Sequence, residues 1–277
     1  MTRHRMLLTA VLATVLTLAA CGTETADGGH EAEEGTDAPQ DHNEAGTDAG
    51  AEPSGELTVF AAASLHVAFE DIAEAFTAAH PQTSVAFSFA GSSDLVAQLD
   101  AGAPADVLAA ANESTMADAV ANGTIEGDPE IFADNVLTLI TPAGNPAEVT
   151  GLDESLAAAD LVVCAPQVPC GEATGTLAGL LEVTLEPVSE EGSVTDVLGK
   201  VTSGQAGAGL VYTTDAASAG EQVETIEVYD QHDEVINYYP IAPTTGSDQP
   251  ELARAWIDFV QGPQGQDVLD AAGFGTP

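Results

Sequence analysis

The chain has 277 residues, room for one large bilobal domain or two ordinary ones, and its 44% hydrophobic content supplies a core. That excludes disorder throughout, collagen, a coiled coil and a multi-span membrane protein. Lys plus Arg number 4 against 45 Asp plus Glu, a formal charge of −41 that repels nucleic acid and anionic lipid surfaces and argues against both as partners.

Arg3 and Arg5 precede an apolar run, Met6 to Ala20. Residues 1–20 therefore read as a secretory signal peptide, too short and too N-terminal for an ordinary membrane span. The run ends in Leu18-Ala19-Ala20-Cys21, which resembles a lipobox: small residues admit the peptidase, and the Cys21 thiol carries the lipid. The alternative is an ordinary signal with a chance cysteine. Cleavage leaves Lys200 and Arg254 as the strong cations against all 45 acids, a formal charge of −43. Residues 21–54 hold the lipidated cysteine and an acidic stretch that lacks Val, Ile, Leu and aromatics from Gly22 onward. Such a stretch is expected to be a disordered tether with a reach of about 30 Å. His30 and His42 lie in it as solvated positions rather than a metal trap.

Leu57–Ala62 predicts a buried strand. Leu65, Phe69, Ile72 and Phe76 then fall on one helical face, and Pro81 closes the segment. Ser84–Phe89 predicts a second strand, after which Gly91-Ser92-Ser93 turns into a helix carrying Leu95 and Leu99. Ala105–Ala110 is strand-like and Met116–Asn122 helical. This alternation implies an α/β fold with a largely parallel sheet covered by helices on both faces. Asn135–Thr141 is a further apolar run, followed by a loop over Pro142–Gly151. Leu161–Cys164 opens a second set, with helices near Ala173–Leu181 and Val194–Val201 and a strand at Ala208–Tyr212. After Ile236–Ile241 the chain ends in a helix whose Leu252, Trp256 and Phe259 share a face. Two α/β lobes fit this order, 55–136 plus 240–277 as lobe I and 137–239 as lobe II. Extended crossovers near 136–140 and 236–241 join them. Ligands of such folds sit beyond the carboxyl ends of strands, where helix N-termini converge.

Ser64 and Ser92 stand at strand-to-helix junctions, and Val168-Pro169-Cys170-Gly171 forms a turn into another helix. A serine there is ordinarily an N-cap; several of them in one cleft would instead be a donor set.

The runs TVFAAASL, AGSSDLVAQLDAGAPADVLAAAN and GAGLVYTTDA resemble the molybdate-binding proteins of bacterial ABC transporters. The likeness spans about Leu57 to Phe274 in the family's order and includes Gly262–Gln266 and Gly273-Phe274. It implies a two-lobed type II periplasmic-binding fold, each lobe a mixed, mostly parallel sheet flanked by helices, closing on a tetrahedral oxyanion in the interlobe cleft. It also implies the ligand set. Ser64 and Ser92 would give hydroxyl and N–H, Cys170 and Val194 their N–H, and Tyr212 its phenol. The register at Val194 is weakly marked.

The chemistry agrees with that set. A fully deprotonated dianion needs donors only, and dipoles at helix N-termini supply them without Lys or Arg. Protonated phosphate would also need an acceptor; Asp94 could serve, although a helix-first-turn role suits it better. Lys200 and Arg254 read as solvated, and His66 and His80 as surface positions. The acidity is expected to slow a dianion's arrival unless salt screens it. With Cys21 lipidated, Cys164 and Cys170 remain as a pair in an exported protein, expected to form a disulfide; two free thiols or a redox pair are the alternatives.

The expected function is that of a lipid-anchored monomer at the outer face of the cell membrane. It would capture molybdate, and tungstate with it, and deliver the oxyanion to an ABC permease with its cytoplasmic ATPase. No cofactor and no metal beyond the oxyanion is expected. A sulfate or other oxyanion receptor is the alternative. A secreted serine hydrolase using Ser64 or Ser92 is disfavoured, because G-x-S-x-G is missing and the folded part offers only His66, His80 and His232 as a base.

Overall fold

A computed structural model describes residues 52–226, 228 and 235–276. The leader, Cys21, most of the tether and His232 lie outside the described residues.

The first half runs β1 (Gly55–Ala62), a 3₁₀ turn (Ala63–Leu65), α1 (His66–Ala79), β2 (Thr83–Ala90), α2 (Ser92–Asp100), β3 (Val107–Ala109) and α3 (Glu113–Ala121). A long strand follows, β4 (Glu130–Pro142). The second half holds β5 (Leu161–Cys164), α4 (Pro169–Leu180), β6 (Ser189–Glu191), α5 (Val194–Thr202), β7 (Ala208–Tyr212), α6 (Thr213–Ala219) and β8 (Val223–Ile226). The chain returns along β9 (Ile236–Pro243) and finishes in α7 (Pro250–Gln261) and α8 (Pro263–Ala271).

The strand order is β2-β1-β3-β9-β4-β7-β5-β6, with β8 also on β4. β1 lies parallel between β2 and β3, and β5 lies parallel between β6 and β7. Each parallel trio is closed by antiparallel strands. β4 joins the halves. Its residues Glu130–Val136 pair with β9, while from Leu137 onward it pairs with β7 and β8.

Each half has its own core. β1 is buried on both faces, as a central parallel strand must be: Leu57, Val59 and Ala61 enter one apolar cluster and Phe60 another. The predicted face of α1 is fully buried. Phe69 and Phe76 meet Trp256 edge-on at centroid distances of 5.7 and 5.4 Å. The second core gathers Leu139, Val162, Leu177, Val197, Val201 and Leu210.

Four features differ from the sequence reading. α4 begins at Pro169 rather than Ala173, because proline at a first helical position lacks only a donor that would be unpaired anyway. The terminal helix is two, broken at Gly262-Pro263, and its buried face includes Ile257 and Val260, with Phe259 only partly covered. Lys200 is held rather than free: its Nζ pairs with Glu191 and donates to Ser189 Oγ at 2.9 Å, and its ammonium keeps the Glu191 carboxyl below the usual range. His80 is half-buried against Phe76 and Phe259, whereas His66 is exposed beside Glu70 and Arg254 is exposed beside Glu126.

Candidate functional site

The carboxyl ends of β1, β2, β5, β6 and β7 open on one small cavity between the halves. Its walls are Ala62–Ser64, Ala90–Ser92 and Ala111 from the first half, and Val168–Cys170, Gly192–Val194 and Tyr212 from the second. The space between them, mouth included, is about 230 Å³. All five positions singled out in the sequence, Ser64, Ser92, Cys170, Val194 and Tyr212, stand on this wall, and no Asp, Glu, Lys, Arg or His does among the described residues.

Helix starts make the wall donor-rich. In α2 the first helical bonds are those of Asp94 and Leu95 to the Gly91 carbonyl, and in α4 those of Gly171 and Glu172 to the Val168 carbonyl. The N–H groups ahead of them, on Ser92 and Cys170, have no place in the helical ladder. In α5 the Ser193 hydroxyl takes the Asp196 N–H, and Val194 is the first helical residue.

Ser193 caps α5, but neither Ser64 nor Ser92 caps its helix, because Leu65 and Gly91 occupy the cap positions of α1 and α2. Ser92 Oγ accepts the Ala111 N–H at 3.0 Å, and Ser64 Oγ lies 2.9 Å from Tyr239 Oη. With an acceptor site occupied, the Ser92 hydroxyl keeps its proton to give. Neither hydroxyl is bonded to a histidine among the described residues. Tyr212 is 1% exposed, and its Oη has no partner among the described residues. Burial, with Tyr239 close by, pushes that phenol well above its ordinary value, so it stays a neutral donor.

Two buried asparagines on the crossover strands hold this arrangement. Asn237 donates to the Ala111 carbonyl at 2.9 Å, fixing the residue that engages Ser92. Asn135 donates to Thr214 Oγ1 at 2.8 Å and accepts from Thr213 Oγ1 at 2.9 Å, pinning the start of α6 directly after Tyr212. Cys164 and Cys170 are bonded, with Cα atoms 5.6 Å apart, which ties the end of β5 to the first turn of α4.

Residues 57–275 match the pattern of the bacterial extracellular solute-binding protein family. The chain belongs to that family. A molybdate-binding protein of Mycobacterium tuberculosis is 43% identical over 222 residues, 80% of this chain and 85% of its own. Among solved structures, the periplasmic molybdate-binding protein of Azotobacter vinelandii superposes with a TM-score of 0.71 at 21% identity, covering 80% of this chain and 99% of its own. A sulfate-binding protein of M. tuberculosis superposes at 0.66 and 20%, covering 79% and 86%. The fold is therefore the two-lobed one of the periplasmic binding proteins. Members of the solute-binding family carry ligands rather than turn them over, and they work outside the cytoplasm. Among the described residues no helix is long and apolar enough to cross a membrane.

The sequence reading of this solute-binding protein missed the residues behind the wall: Tyr239, Asn135, Asn237 and Asp215. The available signal was a polar side chain inside each apolar crossover run, Asn135 at the head of one and Asn237 with Tyr239 in the other. Asp215, in the first turn of α6, accepts the Tyr212 N–H at 3.1 Å. Burial raises its carboxyl from 3.8 to about 7, which that single bond only partly opposes. A raised folded-state value favours the protonated form. The stability it confers is complete below about pH 4, falls as pH rises toward 7, and is absent above. Asp215→Asn, which keeps an acceptor oxygen without the charge, is expected to stabilise the protein at pH 8 by up to about 4 kcal/mol and hardly at all at pH 4. Melting curves at the two pH values check this, and an equal gain at both would refute the buried-charge account.

Proposed function

We propose that the chain is an exported receptor that captures molybdate, and tungstate with it, and hands the oxyanion to an ABC permease driven by a cytoplasmic ATPase. One observation carries the reading: a cavity lined by uncharged described residues and ringed by helix starts, into which a buried Tyr212 phenol brings a hydrogen-bond donor with no partner among the described residues. Ser64 and Ser92 would give hydroxyl and backbone N–H, Cys170 and Val194 their N–H groups, and Tyr212 its O–H. A tetrahedral dianion accepts all of these and needs no cation. Phosphate that keeps a proton also needs an acceptor, and the lining has no carboxylate among the described residues. Sulfate is a smaller tetrahedron and would leave donors unmatched at a cost. The molybdate-binding relatives support the same choice.

The proposal extends to a monomer held to the outer face of the membrane by a lipid on Cys21 after removal of residues 1–20. Residues 55–136 plus 240–277 would form lobe I and 137–239 lobe II, a division supported by the change of β4's partners at Val136–Leu137. The Cys164–Cys170 bond would persist in the oxidising exterior and keep the Cys170 N–H aimed at the ligand. No cofactor is part of the proposal.

Calorimetric titration of the mature chain with molybdate, tungstate, sulfate and phosphate tests it. One-to-one binding of the first two, with the others silent, is expected. Sulfate or phosphate binding with molybdate silent would transfer the specificity, and silence from all four would overturn the proposal.

A further inference from the structure

Beside the cavity, a hydrogen-bonded clasp crosses from one half to the other. Glu172, in the first turn of α4, accepts at one carboxylate oxygen from Asn112 Nδ2 and from Ser114 Oγ, both at 2.7 Å. Those donors open α3 on the opposite side of the cleft. Asn112 is preset for this: its Oδ1 caps the helix by accepting the Thr115 N–H at 3.1 Å, which leaves its Nδ2 to donate to Glu172 and, at 2.9 Å, to Ser114 Oγ. A second bond spans the cleft nearby, from Ser93 Oγ to the Gln167 carbonyl at 2.7 Å.

We infer that Glu172 is a latch: its bonds to Asn112 and Ser114 form only when the halves meet and hold the cleft shut over the ligand. Its place in the chain makes this effective. Glu172 follows Cys170 by two residues, and Asn112 follows directly on Ala111, whose N–H engages Ser92. Drawing the two helix starts together therefore brings the donors of both halves onto the same cavity. Attraction of the ligand is not its role. Its negative charge acts on the Tyr212 phenol, and so opposes a dianion at that spot. What Glu172 offers is acceptor geometry, and charge-assisted bonds of this kind are short and strong for their exposure. A contact absent from the open form and present in the closed one slows release and leaves capture nearly unchanged.

The inference rests on the proposed oxyanion receptor, and two readouts separate the failure of one from that of the other. In stopped-flow exchange of molybdate on the mature chain, Glu172→Ala is expected to raise the dissociation rate about fivefold to tenfold, with the association rate within about twofold. Glu172→Gln keeps an acceptor oxygen but not the charge, so its rate should rise clearly less than that of Glu172→Ala. Ser114→Ala, which removes one donor from an exposed position, should fall between the native chain and Glu172→Ala, and it carries the test if Glu172→Ala fails to fold. A dissociation rate unchanged in Glu172→Ala, or raised as much in Glu172→Gln, would overturn the latch. Spin labels on α3 and α4 of the ligand-free chain give the second readout. Glu172→Ala should move the distance distribution toward longer separations, and an unaltered distribution would also overturn the latch. If molybdate does not bind the native chain, the receptor reading fails, while the label distances still decide the latch.

Discussion

Gly91→Ala is expected to weaken molybdate binding by about tenfold to a hundredfold without lowering the melting temperature of the ligand-free protein. Gly91 is the single residue between β2 and α2, and its backbone lies against the second half. A Cβ built there would stand 2.2 Å from the Gly192 carbonyl oxygen, a separation that real Cβ atoms essentially never show. The obstacle is backbone, so no side chain can swing aside, and the halves must stay apart. Gly91 has φ −58°, ordinary for any residue, so the substitution adds no strain while the cleft is open. Gly192→Ala is the matched control: its Cβ would meet only Asp94 Oδ2 at 3.7 Å, an ordinary contact. Titration and melting of both variants check the account. Equal losses from both, or native affinity in Gly91→Ala, would contradict it.

Tyr212→Phe should separate binding from stability. The phenol oxygen is buried and has no partner among the described residues, so its removal relieves an unpaired polar atom and leaves the ring packed 6.0 Å from that of Tyr239. The ligand-free protein is expected to melt at the same temperature or higher. Its affinity for molybdate should fall by about tenfold to a hundredfold, because a hydrogen bond to a charged acceptor is lost. A lowered melting point with unchanged affinity would assign the hydroxyl to the fold and not to the ligand.

These two residues illustrate what the sequence could reveal. Tyr212 ends a five-residue buried strand and was singled out through the family-like motif it closes, whereas Gly91 was visible in the GSS junction. What Gly91 touches was not visible, because Gly192 lies 101 positions away on the other half. The helix of Leu65, Phe69, Ile72 and Phe76 was legible because all four side chains bury on one face. β6 and β8 were not, since three and four residues with half-exposed or exposed side chains carry no apolar period. The serine junctions were read as caps or donors, and geometry decided against caps, with Leu65 and Gly91 in those positions. The support from Asn135, Asn237 and Tyr239 escaped notice because a polar residue in an apolar run has meaning only once its partner is known.

The most direct test of the neutral-donor site is a crystal structure of the molybdate complex, with the metal located by its anomalous scattering. The account predicts one peak inside the cavity, its oxygens within hydrogen-bond distance of Ser64, Ser92, the Cys170 and Val194 N–H groups and the Tyr212 phenol. A peak elsewhere, or an oxyanion held in the cavity by a lysine or arginine side chain, would contradict it.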